Sequence, residues 1–170
     1  MERTDPDTLG AEPALLGQFL DYHRATLVMK ASGLDRAQLN RTTAASDLTL
    51  AALVKHLALV EDSWFGSVML DEPLPEPWAN VDWEADPDWD LHSAVDDEPR
   101  DLLALYDAAC ERSRAAVARL GDLDAVSRGR HRSGESFNLR WVMLHMIEET
   151  ARHNGHADLL REAIDGVTGE

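Results

Sequence analysis

Hydrophobic residues recur at helical spacing in four long segments of the chain, and glycine- or proline-containing stretches separate these segments. Asn138 is an expected N-cap of the last segment, and Gly121 and Gly166 are expected C-terminal stops. No stretch has the alternating pattern of a β-strand, and no segment repeats. The pattern predicts helices near residues 13–31, 49–70, 100–120 and 138–164, with a loop over 42–47. The predicted fold is therefore an all-α four-helix bundle in a single domain, residues 1–170.

Residues 71–99, here called the strap, connect the second and third predicted helices and differ in composition from the rest. They hold five of the seven prolines and three of the five tryptophans, Trp78, Trp83 and Trp89. Charge and proline favour disorder, but burying each tryptophan is worth a few kcal/mol. We therefore expect an ordered strap, long enough for helices two and three to run parallel. The tryptophans either cover a pocket or only attach the strap to the bundle.

The overall composition is that of a globular protein, and its charge narrows the set of partners. The 170 residues are 44% hydrophobic and carry a formal net charge of −16. Such a charge repels nucleic-acid phosphates and anionic membranes, so neither is an expected partner. No apolar run reaches the ~20 residues of a membrane span, and the N-terminus lacks signal-peptide features. A cytoplasmic location is expected. The only cysteine, Cys110, excludes an internal disulfide and is expected to be a small buried hydrophobe.

The last predicted helix carries ionisable residues on a face that its spacing predicts to be buried. That face comprises Val142, His145, Glu149, His153, His156, Leu160 and Ala163. The opposite interpretation exposes this face and buries Met143, Met146, Thr150 and Ala157 instead. A polar band in a buried helix costs several kcal/mol unless its groups are paired or bind a metal.

Glu149 and His153 are four residues apart, which is the spacing by which one helix supplies two ligands to a metal. His56 is the best candidate for a third ligand, because it lies between Leu53 and Val60 on an apolar helix stripe. Two histidines and one glutamate form the ligand pattern of catalytic zinc sites. The alternatives are an exposed Glu–His pair and a core histidine without a functional role.

The remaining histidines have less definite roles in the sequence. His145 and His156 are interpreted as pocket-lining, solvent-facing or supporting residues near the metal. His23 falls on the apolar stripe of the first helix and is more simply a core histidine. His92 and His131 lie in predicted loops, where the sequence shows no partner for either.

Three stretches resemble a known superfamily: FLDYHRATLVMKASGL, LTLAALVKHLALVEDSWF and NLRWVMLHMIEETARHNGHADLLREAIDG. They are similar to the DinB/YfiT-like metal-binding bundles, and more closely to the branch of mycothiol S-transferases and mycothiol-dependent maleylpyruvate isomerase. In the wider superfamily a histidine of helix two and an HxxxH pair of helix four hold the metal. Here Glu149 replaces the first histidine of that pair, as in the isomerase. The resemblance implies an up-down-down-up bundle.

The resemblance also implies a reaction. Three protein ligands leave a metal position open, where a thiol or a water becomes a nucleophile near neutral pH. The resembling family uses mycothiol, so the expected function is a metal-dependent transferase that joins this thiol to a small electrophile. The expected metal is zinc, with nickel, iron or manganese as alternatives. His145 and His156, and also His23, are the candidates for proton transfer or for orienting the thiol.

Two other functions stay open at this point. One is a hydrolase that uses metal-bound water and needs no thiol. The other is a non-catalytic bundle that binds a metal or a small molecule, such as a stress-response protein. The expected partners are a small-molecule thiol and an electrophile, and a homodimer is left open.

Overall fold

The computed structural model describes residues 3–43, 46–131 and 133–168. Its helices in chain order are α1 (Glu12–Ala31), α2 (Arg36–Leu39), α3 (Leu50–Glu61), α4 (Trp89–His92), α5 (Pro99–Leu120) and α6 (Leu139–Asp165). Within this part of the chain there is no β-strand, only two isolated bridges. The all-α prediction is confirmed. Ala44 and Ala45, inside the predicted loop 42–47, lie outside the described residues.

The ends of the long helices follow from local sequence signals. Pro13 lies in the first turn of α1, where its missing N–H costs no helix hydrogen bond. The side chains of Thr49 and Asn138 each accept a hydrogen bond from the backbone N–H three residues later. Gly121 and Gly166 take the left-handed conformation that ends α5 and α6, with φ of 68° and 78°. These predicted helix boundaries are confirmed to within one residue.

The second long helix differs from the prediction in its last turns. After α3 the chain continues as a π-helical segment, Asp62–Val68, and helical structure ends at Leu70. Asp71 then takes a left-handed conformation with φ of 59°. A π-helix has more residues per turn than an α-helix, so it changes which side chains share a face. Asp62, Trp64 and Phe65 are all buried as a result.

The core consists of two clusters that both span several helices. One contains Leu27, Leu53 and Tyr106, and the other contains Leu20, Phe65 and Met146. Polar contacts between α1 and α6 follow the same order along both helices. Arg140 pairs with Glu12, the Asn154 amide donates to the His23 carbonyl, and Arg161 donates to the Ser32 carbonyl.

Charged residues of the second long helix are buried and paired across helices. Arg24 of α1 donates two hydrogen bonds to Glu61, at 2.7 and 2.6 Å. Arg112 of α5 donates to both carboxylate oxygens of Asp62, at 2.7 and 2.9 Å. Breaking such a pair leaves an uncompensated buried charge, so these contacts fix how α1 and α5 pack against the helix that begins at Leu50.

The strap is attached to the helices by its tryptophans. Trp78 is fully buried, and its indole N–H donates to Asp62 Oδ2 at 2.9 Å. Trp89 packs under the ammonium of Lys55, 4.6 Å from the ring centroid. Trp83 and Trp89 both pack against the core cluster of Leu53 and Tyr106. The tryptophans thus attach the strap to the helices.

None of the described helices combines the length and the apolar character that crossing a bilayer requires.

Candidate metal centre

The buried face of α6 is not the one first predicted. Its buried side chains include Met143, Met146, Thr150, Asn154 and Ala157, together with Val142 and Leu160. His145, Glu149, His153 and His156 are half-buried, and Ala163 is exposed. The opposite interpretation of this helix was therefore correct for its core face. The polar band lies at the border between core and solvent, so its groups are held by packing and still reachable from outside.

His56, Glu149 and His153, here called the metal trio, converge from α3 and α6. One ligand atom of each lies within 4.8 Å of the others. Glu149 Oε1 is 3.7 Å from His56 Nε2 and 3.1 Å from His153 Nε2. The exposed side-chain fractions are 27%, 22% and 16% in chain order. The structure therefore brings together the three residues that the sequence spacing selected.

Asp90 of α4 supports the metal trio from the strap. Its carboxylate Oδ2 lies 2.8 Å from His56 Nδ1, and the residue is only 4% exposed. A carboxylate on the far nitrogen of a ligating histidine fixes the ring orientation and leaves the other nitrogen for the metal. Sequence reasoning missed Asp90, because it is one of many strap acids and its partner is 34 residues away. Its position between Trp89 and Leu91 is the only sequence signal that it is buried.

The electrostatics of the site favour a positive charge between the carboxylates. Burial alone would lower the pKa of His56, but its hydrogen bond to Asp90 and the nearby negative charge of Glu149 outweigh burial and raise that pKa to about 9. A hydrogen bond from His153 and the nearby His56 imidazole hold the pKa of the Glu149 carboxyl well below its usual range. A proton or a metal cation at His56 Nε2 satisfies the same electrostatic requirement.

The residues present fit a divalent metal ion. Two imidazole nitrogens and one carboxylate oxygen are the donor types that zinc prefers, and three of them leave a fourth position for a reactant. The Nδ1 atoms of His153 and His156 are buried and have no hydrogen-bond partner within the described residues. The two rings lie 5.5 Å apart, so His156 is adjacent to the metal trio.

His145 occupies a different environment from His156. Its ring stacks on Trp141 at 5.0 Å and meets Trp64 at 4.8 Å. Phe137 and His131 also contact Trp64, so five rings form one aromatic cluster beside the metal trio. No sequence pattern predicted this cluster, because its members come from three separate segments.

The remaining histidines are not members of the metal trio. His23 contacts the Tyr22 ring at 5.6 Å, and burial lowers the pKa of its imidazole. His92 lies 3.0 Å from the Asp86 carboxylate, and His131 stacks on Trp64 at 5.1 Å. His92, predicted to lie in a loop, is the last residue of α4, because the strap forms a short helix there. Both histidines have partners that the sequence did not reveal.

Cys110 is fully buried, as predicted, beside Tyr106 in the core. Burial raises the pKa of its thiol to about 12. Since the thiolate is the reactive form, Cys110 is not available as a nucleophile near neutral pH. A thiol reaction at this site needs a thiol from a small molecule.

Comparison with protein-family models matches residues 15–166 to a family described as mycothiol-S-transferase. The matched range includes the metal trio, Asp90 and most of each long helix. A search of curated proteins found no match.

Proposed function

The chain belongs to the mycothiol-S-transferase family, and on this premise we propose that it joins the thiol of mycothiol to a small electrophile with the help of a divalent metal ion. His56, Glu149 and His153 would hold the ion. The observation that carries the proposal is the convergence of these three ligand-type side chains, backed by the buried Asp90. Family membership supports mycothiol as the thiol substrate, and the two imidazoles and one carboxylate support a bound divalent metal ion.

Zinc is the proposed metal, because two imidazoles and a carboxylate are the donor set of catalytic zinc sites. When bound, such an ion lowers the pKa of a thiol and so supplies the thiolate near neutral pH. Nickel, iron and manganese accept the same donors and remain alternatives.

The surrounding residues have distinct proposed roles. Asp90 accepts the Nδ1–H of His56 and so presents His56 Nε2 to the ion. His156 is the proposed acceptor of the thiol proton, because its buried Nδ1 has no hydrogen-bond partner among the described residues and its ring is adjacent to His153. His145 packs between Trp64 and Trp141, so its proposed role is to line the pocket rather than to move a proton.

The proposed bundle topology is up-down-down-up. Early residues of α1 contact early residues of α6, as in the pair Glu12–Arg140. Ser32, just after α1, contacts Arg161 near the end of α6, so the two helices run parallel, which supports this topology. The pairs Lys55–Asp97 and Asp62–Arg112 support the same relation between the second long helix and α5. The strap is long enough to make the return connection that this order requires.

The proposal is tested by metal content and conjugation activity in the same preparations. We expect about one ion per chain in the wild type and metal-dependent conjugation of monobromobimane or chlorodinitrobenzene with mycothiol. His56→Ala and His153→Ala should each lose most of the metal and the activity, because each removes one of three ligands. His92→Ala is the matched control, since this histidine pairs with Asp86 in the strap.

Stoichiometric metal in both His56→Ala and His153→Ala would show that the metal trio is not the metal site. Ester hydrolysis without any thiol would indicate the hydrolase instead. Tight metal binding with neither activity would indicate the non-catalytic binding protein.

A further inference from the structure

A cavity beside the metal trio carries a positive charge, and we infer that it binds an oxyanion group, such as a carboxylate, of an anionic electrophile. This cavity, here called the cationic cavity, has a volume of about 370 Å³. The polar residues that line it are Ser63, Ser67, Arg130 and His131. That the anion belongs to the electrophile rests on the proposed function, whereas binding of the anion itself does not.

The charge of this lining is unusual for the protein. The chain has 32 acidic residues against 16 lysines and arginines. Four other cavities formed by the described residues each have carboxylates in their lining, for example Asp107, Glu72, Asp101 and Asp47 in turn. The cationic cavity has no carboxylate among the described residues that line it. Of these five cavities, it is therefore the one whose own charge attracts an anion.

Arg130 supplies the positive charge of the cavity. Its Nη1 donates to the Gly134 carbonyl at 2.8 Å, and its side chain makes no other hydrogen bond or ion pair within the described residues. Eight of the other arginines pair with an acid, as Arg112 does with Asp62. A guanidinium has five N–H donors, so Arg130 retains donors for a bound oxyanion.

Two serine hydroxyls form the facing wall of the cavity. Ser63 and Ser67 both belong to the π-helical segment and both line the cavity. Their side chains are half-buried, and neither hydroxyl has a hydrogen-bond partner among the described residues. A π-helical turn is often found at functional sites. The two O–H groups and the guanidinium together offer the donors that an oxyanion requires.

The loop that carries Arg130 is fixed against the π-helical segment. The Gly129 N–H donates to the Val68 carbonyl at 3.0 Å. On the other side of Arg130, the His131 ring stacks on Trp64, with ring centroids 5.1 Å apart. Because the chain is held on both sides of Arg130, an anion can bind there with little cost for ordering the loop.

The cationic cavity lies next to the metal trio. Val60, which also lines the cavity, is four residues after His56 on the same helix. On α6, His145 is one turn before Glu149 and contacts Trp64 of the lining. The nearer serine lies about 10 Å along the helix from His56, at 1.5 Å per residue. An electrophile whose anionic group is several bonds from its reactive carbon can therefore reach both places.

Binding of N-acetyl-β-alanine and of its amide to the full-length protein tests the anion site. The two compounds have the same length, and only the first carries a carboxylate. In NMR titrations that follow the backbone amides of residues 63, 67 and 130, we expect saturable binding of N-acetyl-β-alanine. Its affinity should exceed that of the amide by about fivefold or more, and Arg130→Gln should remove this difference. Arg130 is exposed, so the variant should fold, which thermal unfolding checks.

Arg128→Gln is the matched control, since Arg128 is an exposed arginine of the same loop that does not line the cavity. It should change the affinity for N-acetyl-β-alanine by less than about twofold. Equal losses in the two arginine variants would indicate a response to the overall charge of the loop and overturn the inference. Unchanged affinity in Arg130→Gln, as expected if the carboxylate binds at the metal trio instead, also overturns it.

Conjugation of N-iodoacetyl-β-alanine and of its amide with mycothiol tests the assignment to the electrophile. In this reaction the thiolate sulfur bonds to the methylene carbon, iodide leaves, and the thiol proton passes to a base. We expect a KM about fivefold or more lower for the carboxylate than for the amide in the wild type, and equal KM values in Arg130→Gln.

The two proposals fail separately. Conjugation by the wild type with no preference for the carboxylate would retain the proposed function and overturn the assignment of the cationic cavity to the electrophile. Arg130-dependent binding of N-acetyl-β-alanine without conjugation activity would retain the cavity as an anion site and overturn the proposed function.

Discussion

Asp90 shows how one side chain of the strap can orient His56, a member of the metal trio. Its buried carboxylate holds His56 Nδ1 at 2.8 Å. Trp89 and Leu91, the neighbours of Asp90, pack against the core cluster that contains Leu53 and Tyr106. The Asp90 carboxylate is therefore held in place from both sides. A buried carboxylate without its imidazole partner would be costly, so the strap and α3 stabilise each other at this point.

Asp90→Asn should weaken metal binding by roughly 10- to 100-fold, because the neutral amide orients His56 but no longer raises the basicity of its ring. Chelator competition on the purified protein measures this affinity directly. Asp86→Asn is the matched control. It makes the same change in another Asp–His pair of the strap, where the partner is the exposed His92 and not a member of the metal trio. Unchanged affinity in Asp90→Asn would contradict the supporting role.

At the scale of the elements, the contact between the π-helical segment and the loop after α5 depends on a glycine. A Cβ atom at Gly129 would lie 2.3 Å from the backbone oxygen of Ser67. This distance is far below van der Waals contact, so only glycine allows the loop to approach so closely. The same approach places Arg130 and His131 against the helix.

Gly129→Ala should destabilise the protein by about 1–3 kcal/mol, because the backbone must move to make room for the added methyl group. Chemical unfolding measures the free energy, and hydrogen exchange of the amides of residues 128 and 129 reports the loss of their bonds to the helix. Gly17→Ala is the control, since a Cβ there meets nothing within 4 Å and α1 should gain stability. Equal stability of the two variants would refute the close contact.

For the whole molecule, the few basic residues are used to join helices. The chain has 16 lysines and arginines against 32 acids. Arg24 and Arg114 both donate to Asp21 Oδ1, which links α1 to α5, while Arg24 also holds Glu61 of α3. Arg24 and Arg114 thus place positive charge between helices, where it offsets part of the repulsion among the acidic residues.

The Asp21 cluster predicts a dependence of stability on pH. Burial raises the pKa of Asp21, but hydrogen bonds from Arg114 and Arg24 outweigh burial and lower it below 3.8. A carboxyl whose pKa is lower in the folded than in the unfolded state stabilises the fold at pH values above its unfolded-state pKa. This stabilisation is lost as the pH falls through the folded-state pKa. Asp21→Asn should therefore cost about 0.5–1 kcal/mol near pH 7 and progressively less below about pH 4.

Urea unfolding of wild type and Asp21→Asn between pH 2.5 and 7 measures this difference. Asp107→Asn is the control, since Asp107 lines the same surface cleft and is exposed. A difference between wild type and Asp21→Asn that stays constant over this pH range would contradict the assigned ion pairs.

The sequence by itself determined the features that depend on local spacing. The four long helices, the caps at Thr49 and Asn138 and the glycine stops follow from interactions within one or two turns. The metal trio was also recognisable, because Glu149 and His153 share a helix face by period alone. His56 followed as their candidate partner from its position between Leu53 and Val60 on an apolar stripe. The family resemblance supported that choice, and the family match agrees with the resemblance.

Only the tertiary structure decided the features that join distant parts of the chain. Neither the partner of Asp90 nor the aromatic cluster around Trp64 has a local signal, because each depends on how separate elements pack. The same holds for α6, where both faces carry enough apolar residues to pack against a neighbour. Helical period gives the faces of a helix, whereas burial of one face depends on the neighbours that cover it.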